Sequence, residues 1–200
     1  MVSAVIGRNI RRWSAARSRV GPGGQRDGHG GGIQDGHEES DTSDENGQPG
    51  RRRATGEPVG PIVTRFNGHL AERAVPEWRS ASDALQALPE IGPDAPVGYL
   101  GLSMGTAIGV PLAAADSRIK AAIFGTFWHG SLADTARRVT IPVEFLVQWD
   151  DEHVPRDSAI ALFDAFGSAK KTLHANVGRH LDVPGFELDS AIRFLARHLV

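Results

Sequence analysis

The 200-residue sequence contains no cysteine, which excludes disulfides, thiolate metal ligands and a cysteine nucleophile. It has no apolar run near the roughly eighteen residues that a membrane helix needs. An excess of one charge is also missing. Lys and Arg number 22 against 24 Asp and Glu, a formal net charge of -2, so general affinity for nucleic acid or an anionic membrane is not expected. A secretory leader would need an apolar segment behind Arg11-Arg12, and the chain runs into Gly21-Pro22-Gly23-Gly24 instead. The expected location is cytoplasmic.

Composition changes near residue 58. Residues 21–50 are glycine-rich and polar, with Glu38, Glu39, Asp41, Asp44 and Glu45, and Arg51-Arg52-Arg53 follows. Such a stretch has little to bury against the entropy of ordering. Residues 1–58 are therefore expected to be a low-complexity, disordered region, apart from a short helix near Asn9–Ser18. Residues 59–200 read as one domain with a strand–helix rhythm. Trp78, Ala81, Leu85 and Leu88 recur at helical spacing, predicting a helix over Trp78–Leu88. Strands are predicted at Val97–Leu102, Ile119–Phe127, Val143–Trp149 and Lys171–Val177, and helices at Met104–Ala115, Asp157–Phe166 and Phe186–Leu199. This alternation predicts an α/β fold, a parallel sheet of about four strands flanked by helices.

The sharpest motif is Gly101-Leu102-Ser103-Met104-Gly105, at a predicted strand-to-helix turn. Glycines on both sides of a serine allow a turn too tight for side chains, which projects the hydroxyl at the carboxyl end of the sheet. The N–H of Met104, at the start of the helix, would face an oxyanion there. The same five-residue pattern also arises by chance in glycine-rich chains, so its context decides. A serine hydroxyl is a weak nucleophile and requires a base held by an acid. Asp150-Asp151-Glu152-His153-Val154-Pro155 follows one predicted strand and Gly178-Arg179-His180 follows the next, so an acid and a histidine can converge on the serine. His153, His174 and His198 compete with His180. His174 falls inside a predicted strand, and His198 ends a predicted helix.

Residues 59–200 resemble the C-terminal part of an α/β-hydrolase, nearest the dienelactone-hydrolase-like and small serine esterase branches. Gly-Leu-Ser-Met-Gly is similar to that family's nucleophile elbow. Asp151-Glu152-His153-Val154-Pro155 is similar to its D-x-x-V-P acid loop, which favours Asp151 over Asp150, and Gly178-Arg179-His180 to its G-x-H. Dienelactone hydrolases proper use cysteine, so Ser103 points instead to a serine esterase. The resemblance implies a triad of Ser103, Asp151 and His180 that cleaves a small carboxylic ester through an acyl-enzyme, without metal or cofactor. Phe127, Trp128, His129 and Trp149 lie near predicted strand ends, and the first two with Trp149 are candidate pocket residues.

The family's sheet usually has eight strands, with the elbow after the fifth. The early strands and the loop carrying the second oxyanion N–H are therefore expected to be missing, as a shifted reading frame or gene start upstream would produce. His29-Gly30-Gly31-Gly32 matches an HGGG oxyanion motif, but no apolar strand precedes it. Val97–Leu102 is expected to be an exposed edge open to self-association. The alternative to an esterase is a catalytically silent fragment.

Overall fold

The structure is a computed structural model that describes residues 2–6, 59–128 and 130–199. Strand β1 (Val2–Ile6) is followed by helix α1 (Val59–Gln86), β2 (Val97–Gly101), α2 (Met104–Ala115) and β3 (Ile119–Gly125). A single 3-10 turn at Gly130–Leu132 leads into the short helix α3 (Ala133–Ala136). Then come β4 (Val143–Gln148), α4 (Arg156–Ala165), β5 (Lys171–Asn176) and α5 (Gly185–His198). The five strands form one sheet in the order β1-β2-β3-β4-β5. Strands β2 to β5 pair in parallel.

Alternation along the strands divides the core into two. Val97, Tyr99, Ala122, Phe124, Val143, Phe145 and Val147 form the core on one face, with Ala107, Val110 and Leu112 of α2 and Ala159 and Leu162 of α4. Leu100, Ala121, Ile123 and Leu146 face the other way, against Ala191, Phe194 and Leu195 of α5. Helices therefore cover both faces. Because both faces are covered, β2 and β4 are buried at every position, as expected of interior parallel strands.

Two expectations are corrected at the amino-terminal side. Residues 2–6, expected to be without structure, form a strand that pairs antiparallel with β2, with Val2 opposite Gly101 and Ile6 opposite Val97. Val97–Leu102 is therefore not an open edge, because its outward N–H and C=O groups are engaged within this chain. The physical reason is the unpaired row of backbone groups that an apolar segment such as Val-Ser-Ala-Val-Ile can satisfy. The remainder of the low-complexity region, including the expected helix at Asn9–Ser18 and the His29-Gly30-Gly31-Gly32 motif, lies outside the described residues.

The helix expected at Trp78–Leu88 is α1, which begins at Val59 and runs through Pro76. Ala71 and Ala74 are buried, and Val75 and Trp78 pack on the core. These positions continue one helical face across the proline, so packing offsets the N–H that Pro76 removes from the ladder. Leu85 and Leu88, counted in the apolar face from spacing, are 40% and 45% exposed. The helix instead ends polar, with Gln86 Nε2 donating to the Ala95 carbonyl at 2.7 Å. Asp116, after α2, is buried and held by Arg118 at 2.6 Å. The hydrogen bond from that guanidinium keeps its carboxyl below the usual range despite burial.

Tyr99 fixes the approach of α2 to the sheet. It is fully buried, tilts against Phe124 at 5.8 Å, and donates its hydroxyl to the Gly105 carbonyl at 2.7 Å. Burial pushes the phenol well above its ordinary pKa. At Gly109 of α2, an added Cβ would lie 2.0 Å from Tyr99 Cε1 and 2.8 Å from Phe124 Cε1. Gly109→Ala is accordingly expected to cost about 1–3 kcal/mol by overpacking, even though alanine is the better helix former. Urea denaturation of the two proteins measures this, and unchanged or raised stability would contradict the packing.

Candidate active site

Ser103 sits between β2 and α2 with φ 55 and ψ -119, a combination that L residues rarely adopt. Neighbouring groups over-determine it. Its N–H donates to the Gly125 carbonyl at 3.0 Å. Thr106 Oγ1 lies 2.9 Å from the Gly101 carbonyl and 2.8 Å from the Gly125 carbonyl, while accepting the Gly125 N–H at 2.9 Å. Gly101 is required by close approach, since a Cβ there would lie 2.6 Å from the Tyr99 ring and 2.8 Å from the Gly105 backbone. The tight turn thus raises the Ser103 side chain at the carboxyl end of β2, and Met104 opens α2 immediately behind it.

The loops after β4 and β5 bring an acid and a histidine to this hydroxyl. His180 Nε2 lies 2.9 Å from Ser103 Oγ, and His180 Nδ1 lies 2.7 Å from Asp151 Oδ2. The other Asp151 oxygen accepts the N–H groups of His153 at 2.8 Å and Val154 at 2.9 Å, so the carboxylate is fixed on both sides. Its side chain is 2% exposed and that of His180 is 11% exposed. A carboxylate on Nδ1 selects the tautomer that leaves the Nε2 lone pair for the serine hydroxyl. Of the residues singled out from sequence, Ser103, Asp151 and His180 are brought together. Asp150 is exposed and engages the loop through its backbone N–H, which donates to the Gly178 carbonyl. Chemically, such an arrangement can remove a proton from the serine as it attacks a carbonyl carbon.

The sequence placed Glu152 and Gly178 in these loops without signalling what either would hold. Glu152 Oε2 accepts the backbone N–H of His180 at 3.0 Å, and its other oxygen pairs with Arg179 at 3.1 Å. The His180 N–H is the first cause holding the Glu152 carboxyl down at about 2. Adjacent carboxylates therefore grip one histidine, Asp151 by the ring and Glu152 by the main chain. Gln148, buried at the end of β4, donates to the Arg179 carbonyl at 3.2 Å. Gly178, at φ 136, turns the chain into this loop. Asp151-Glu152 is legible as a pair of acids, but which atoms each would grip depends on the approach of the β5 loop.

Ser103 and His180 open onto a cavity of about 580 Å³. Its walls are Leu100, Ile123 and Leu146 from the α5 side of the sheet and Leu188 and Ala191 from α5. Phe127, Trp128 and Trp149 do not line it. Phe127 is core and stacks on Trp128 at 4.3 Å, on the sheet face opposite α5. Trp149 is exposed beneath the Arg156 guanidinium, 3.9 Å from its ring centre. Nearness to a strand end therefore did not specify which face a ring would take.

No protein-family model and no curated protein matches the chain. Solved structures do. The zinc-bound structure of a novel cold-adapted esterase from an Arctic intertidal metagenomic library is similar at a TM-score of 0.61 and 38% identity, over 65% of this chain and 60% of that one. The fold is the α/β-hydrolase fold of esterases. The chain spans about 60% of the length of that esterase. The esterase domain of a Rhodothermus marinus protein is similar in fold at a TM-score of 0.53 and 17% identity, over 62% of this chain and 68% of that one. The Pyrococcus furiosus esterase Pf2001 matches at 0.53 and 12%, over 63% and 62%. No helix among the described residues is long and apolar enough to cross a membrane.

The strained backbone at Ser103 has a measurable consequence for this α/β-hydrolase fold. Glycine adopts a positive φ without a Cβ penalty, so Ser103→Gly is expected to raise unfolding free energy by about 1 kcal/mol, net of the added chain entropy. Chemical denaturation tests this, and a less stable variant would show that the serine backbone is not strained.

Proposed function

We propose that this chain is a serine hydrolase that cleaves a small carboxylic ester through an acyl-enzyme. The observation that carries the reading is the unbroken hydrogen-bonded line from Asp151 through His180 to Ser103. Ser103 Oγ attacks the acyl carbon while His180 Nε2 takes its proton. Asp151 orients the imidazole and stabilises its cation, and the Met104 N–H supports the oxyanion. His180 then passes its proton to the departing alcohol. Water, deprotonated by His180, attacks the acyl carbon, and His180 returns that proton to the departing Ser103 Oγ as the acid is freed. Support from outside the chain comes from the cold-adapted esterase, at 38% identity. The apolar cavity beside Ser103 suits the hydrocarbon part of an ester. The finer placement near dienelactone-hydrolase-like enzymes rests on the D-x-x-V-P loop around Asp151.

A second reading, a chain that keeps this arrangement without turnover, follows from its spanning 60% of that esterase. A fluorophosphonate probe and a p-nitrophenyl ester separate the two. The esterase reading expects the probe to label the protein at Ser103 and Ser103→Ala to abolish labelling. Asp151→Asn is expected to lower kcat about 10⁴-fold and His180→Ala about 10⁶-fold. Folded, soluble protein that neither reacts with the probe nor hydrolyses the ester supports the second reading and ends the first.

A further inference from the structure

On the sheet face covered by α5, a polar group interrupts the apolar core. Glu144 of β4 and His174 of β5 point to this face, and Glu187 reaches it from the first turn of α5. Glu144 and Glu187 are buried, and potential ligand atoms of the three side chains lie within 4.8 Å of one another. His174 Nδ1 lies 2.7 Å from Glu187 Oε2, and the second Glu187 oxygen accepts from Asn176 Nδ2 at 2.9 Å. With Nδ1 against Glu187, His174 turns Nε2 toward Glu144 Oε2, 3.7 Å away. At that distance the contact is too long for a hydrogen bond. Glu144 Oε1 is buried with no hydrogen-bond partner, and Oε2 has only Ser190 Oγ at 3.5 Å. An orphaned carboxylate oxygen in such a place is costly. Burial pushes the Glu144 carboxyl up; the facing His174 opposes this, and the nearby charge of Glu187 adds to it.

We infer that Glu144, His174 and Glu187 build a binding site for one divalent cation of the zinc class. His174 Nε2 and a Glu144 carboxylate oxygen are its direct ligands, and Glu187 orients the imidazole from behind. Zinc takes nitrogen and oxygen ligands at about 2.0–2.2 Å, so a pair of ligands separated by 3.7 Å spans one cation. A carboxylate on the distal nitrogen of a ligating histidine is the usual outer-shell arrangement and fixes the ring. Imidazole with carboxylate suits a borderline cation better than magnesium, which favours oxygen and water. The cation would meet two carboxylates in one buried cluster, and Arg193, whose charge also acts on Glu144, is exposed. Glu187 also lines the cavity onto which Ser103 opens, so the cation sits behind one of its walls. The rival occupant is a proton shared between His174 and Glu144.

Calorimetric titration of the full-length, chelator-treated chain with ZnCl₂ at pH 7.5, paired with thermal melts, separates the occupants without reference to hydrolysis. The expected result is one equivalent bound, a Tm that rises with zinc concentration, and much weaker binding of MgCl₂. His174→Gln and Glu144→Gln should each abolish the zinc-dependent Tm rise, and Glu187→Gln should weaken binding about 10–100-fold. His153→Ala, which alters a histidine packed against His180 instead, should leave it intact. Wild-type protein without zinc binding overturns the site and leaves the proton as occupant, and binding that survives in His174→Gln also overturns it. Should Glu144→Gln fail to melt cooperatively, the wild-type titration and the partly exposed His174 position still decide.

Discussion

The backbone of Ser103 is the constraint around which the rest of the site is arranged. Its φ of 55 and ψ of -119 are tolerable only because β2, β3 and α2 meet there at backbone distance. That closeness depends on Gly101 and Gly109 against the buried Tyr99 ring, and on Thr106 bridging the ends of β2 and β3. Strain of this kind persists where surrounding structure over-determines it. Here the core on the α2 side supplies that rigidity, and the hydroxyl is held in place before any ligand arrives.

Preorganisation extends to the groups facing the serine. Asp151 is nearly enclosed, and its second oxygen is occupied by backbone N–H groups, so it meets His180 with one oxygen in a set direction. The His180 loop is held independently of its ring. Gln148 takes the Arg179 carbonyl, Glu152 the His180 N–H and Asp182 the Arg179 N–H. A histidine with both ring and main chain held loses little freedom on meeting a ligand, which is the advantage of a preorganised polar site.

The two faces of the sheet contrast in chemistry. The α2 side is a continuous aromatic and aliphatic core, with Phe124 stacked on Phe166 at 5.4 Å. The α5 side is shorter in apolar contacts and carries Glu144, Gln148, His174 and Asn176 on neighbouring strands. It also holds the cavity beside Ser103. Charge and empty space thus share one layer, close to the carboxyl end of the sheet where Ser103 stands.

Much of this architecture was legible in the sequence. The Met104–Ala115 helix has the expected bounds, and β2 to β5 fall within one or two residues of the expected strands, because short apolar runs bounded by proline, glycine and polar turns carry local information. The motif around Ser103, and the placing of Asp151 and His180 after successive strands, followed from residue type and order. Other features depended on packing between distant segments. Val2–Ile6 became a strand because β2 offered unpaired backbone groups, and α1 continued through Pro76 because Ala71, Ala74 and Val75 had a core to meet. The Glu152 clamp, the apolar cavity and the facing side chains of Glu144 and His174 join residues far apart in the chain. Sequence by itself determined which groups stand at the strand ends. Only the tertiary structure decided which atoms they face, because hydrogen-bond partners and pocket walls are set by the close approach of separate strands and helices.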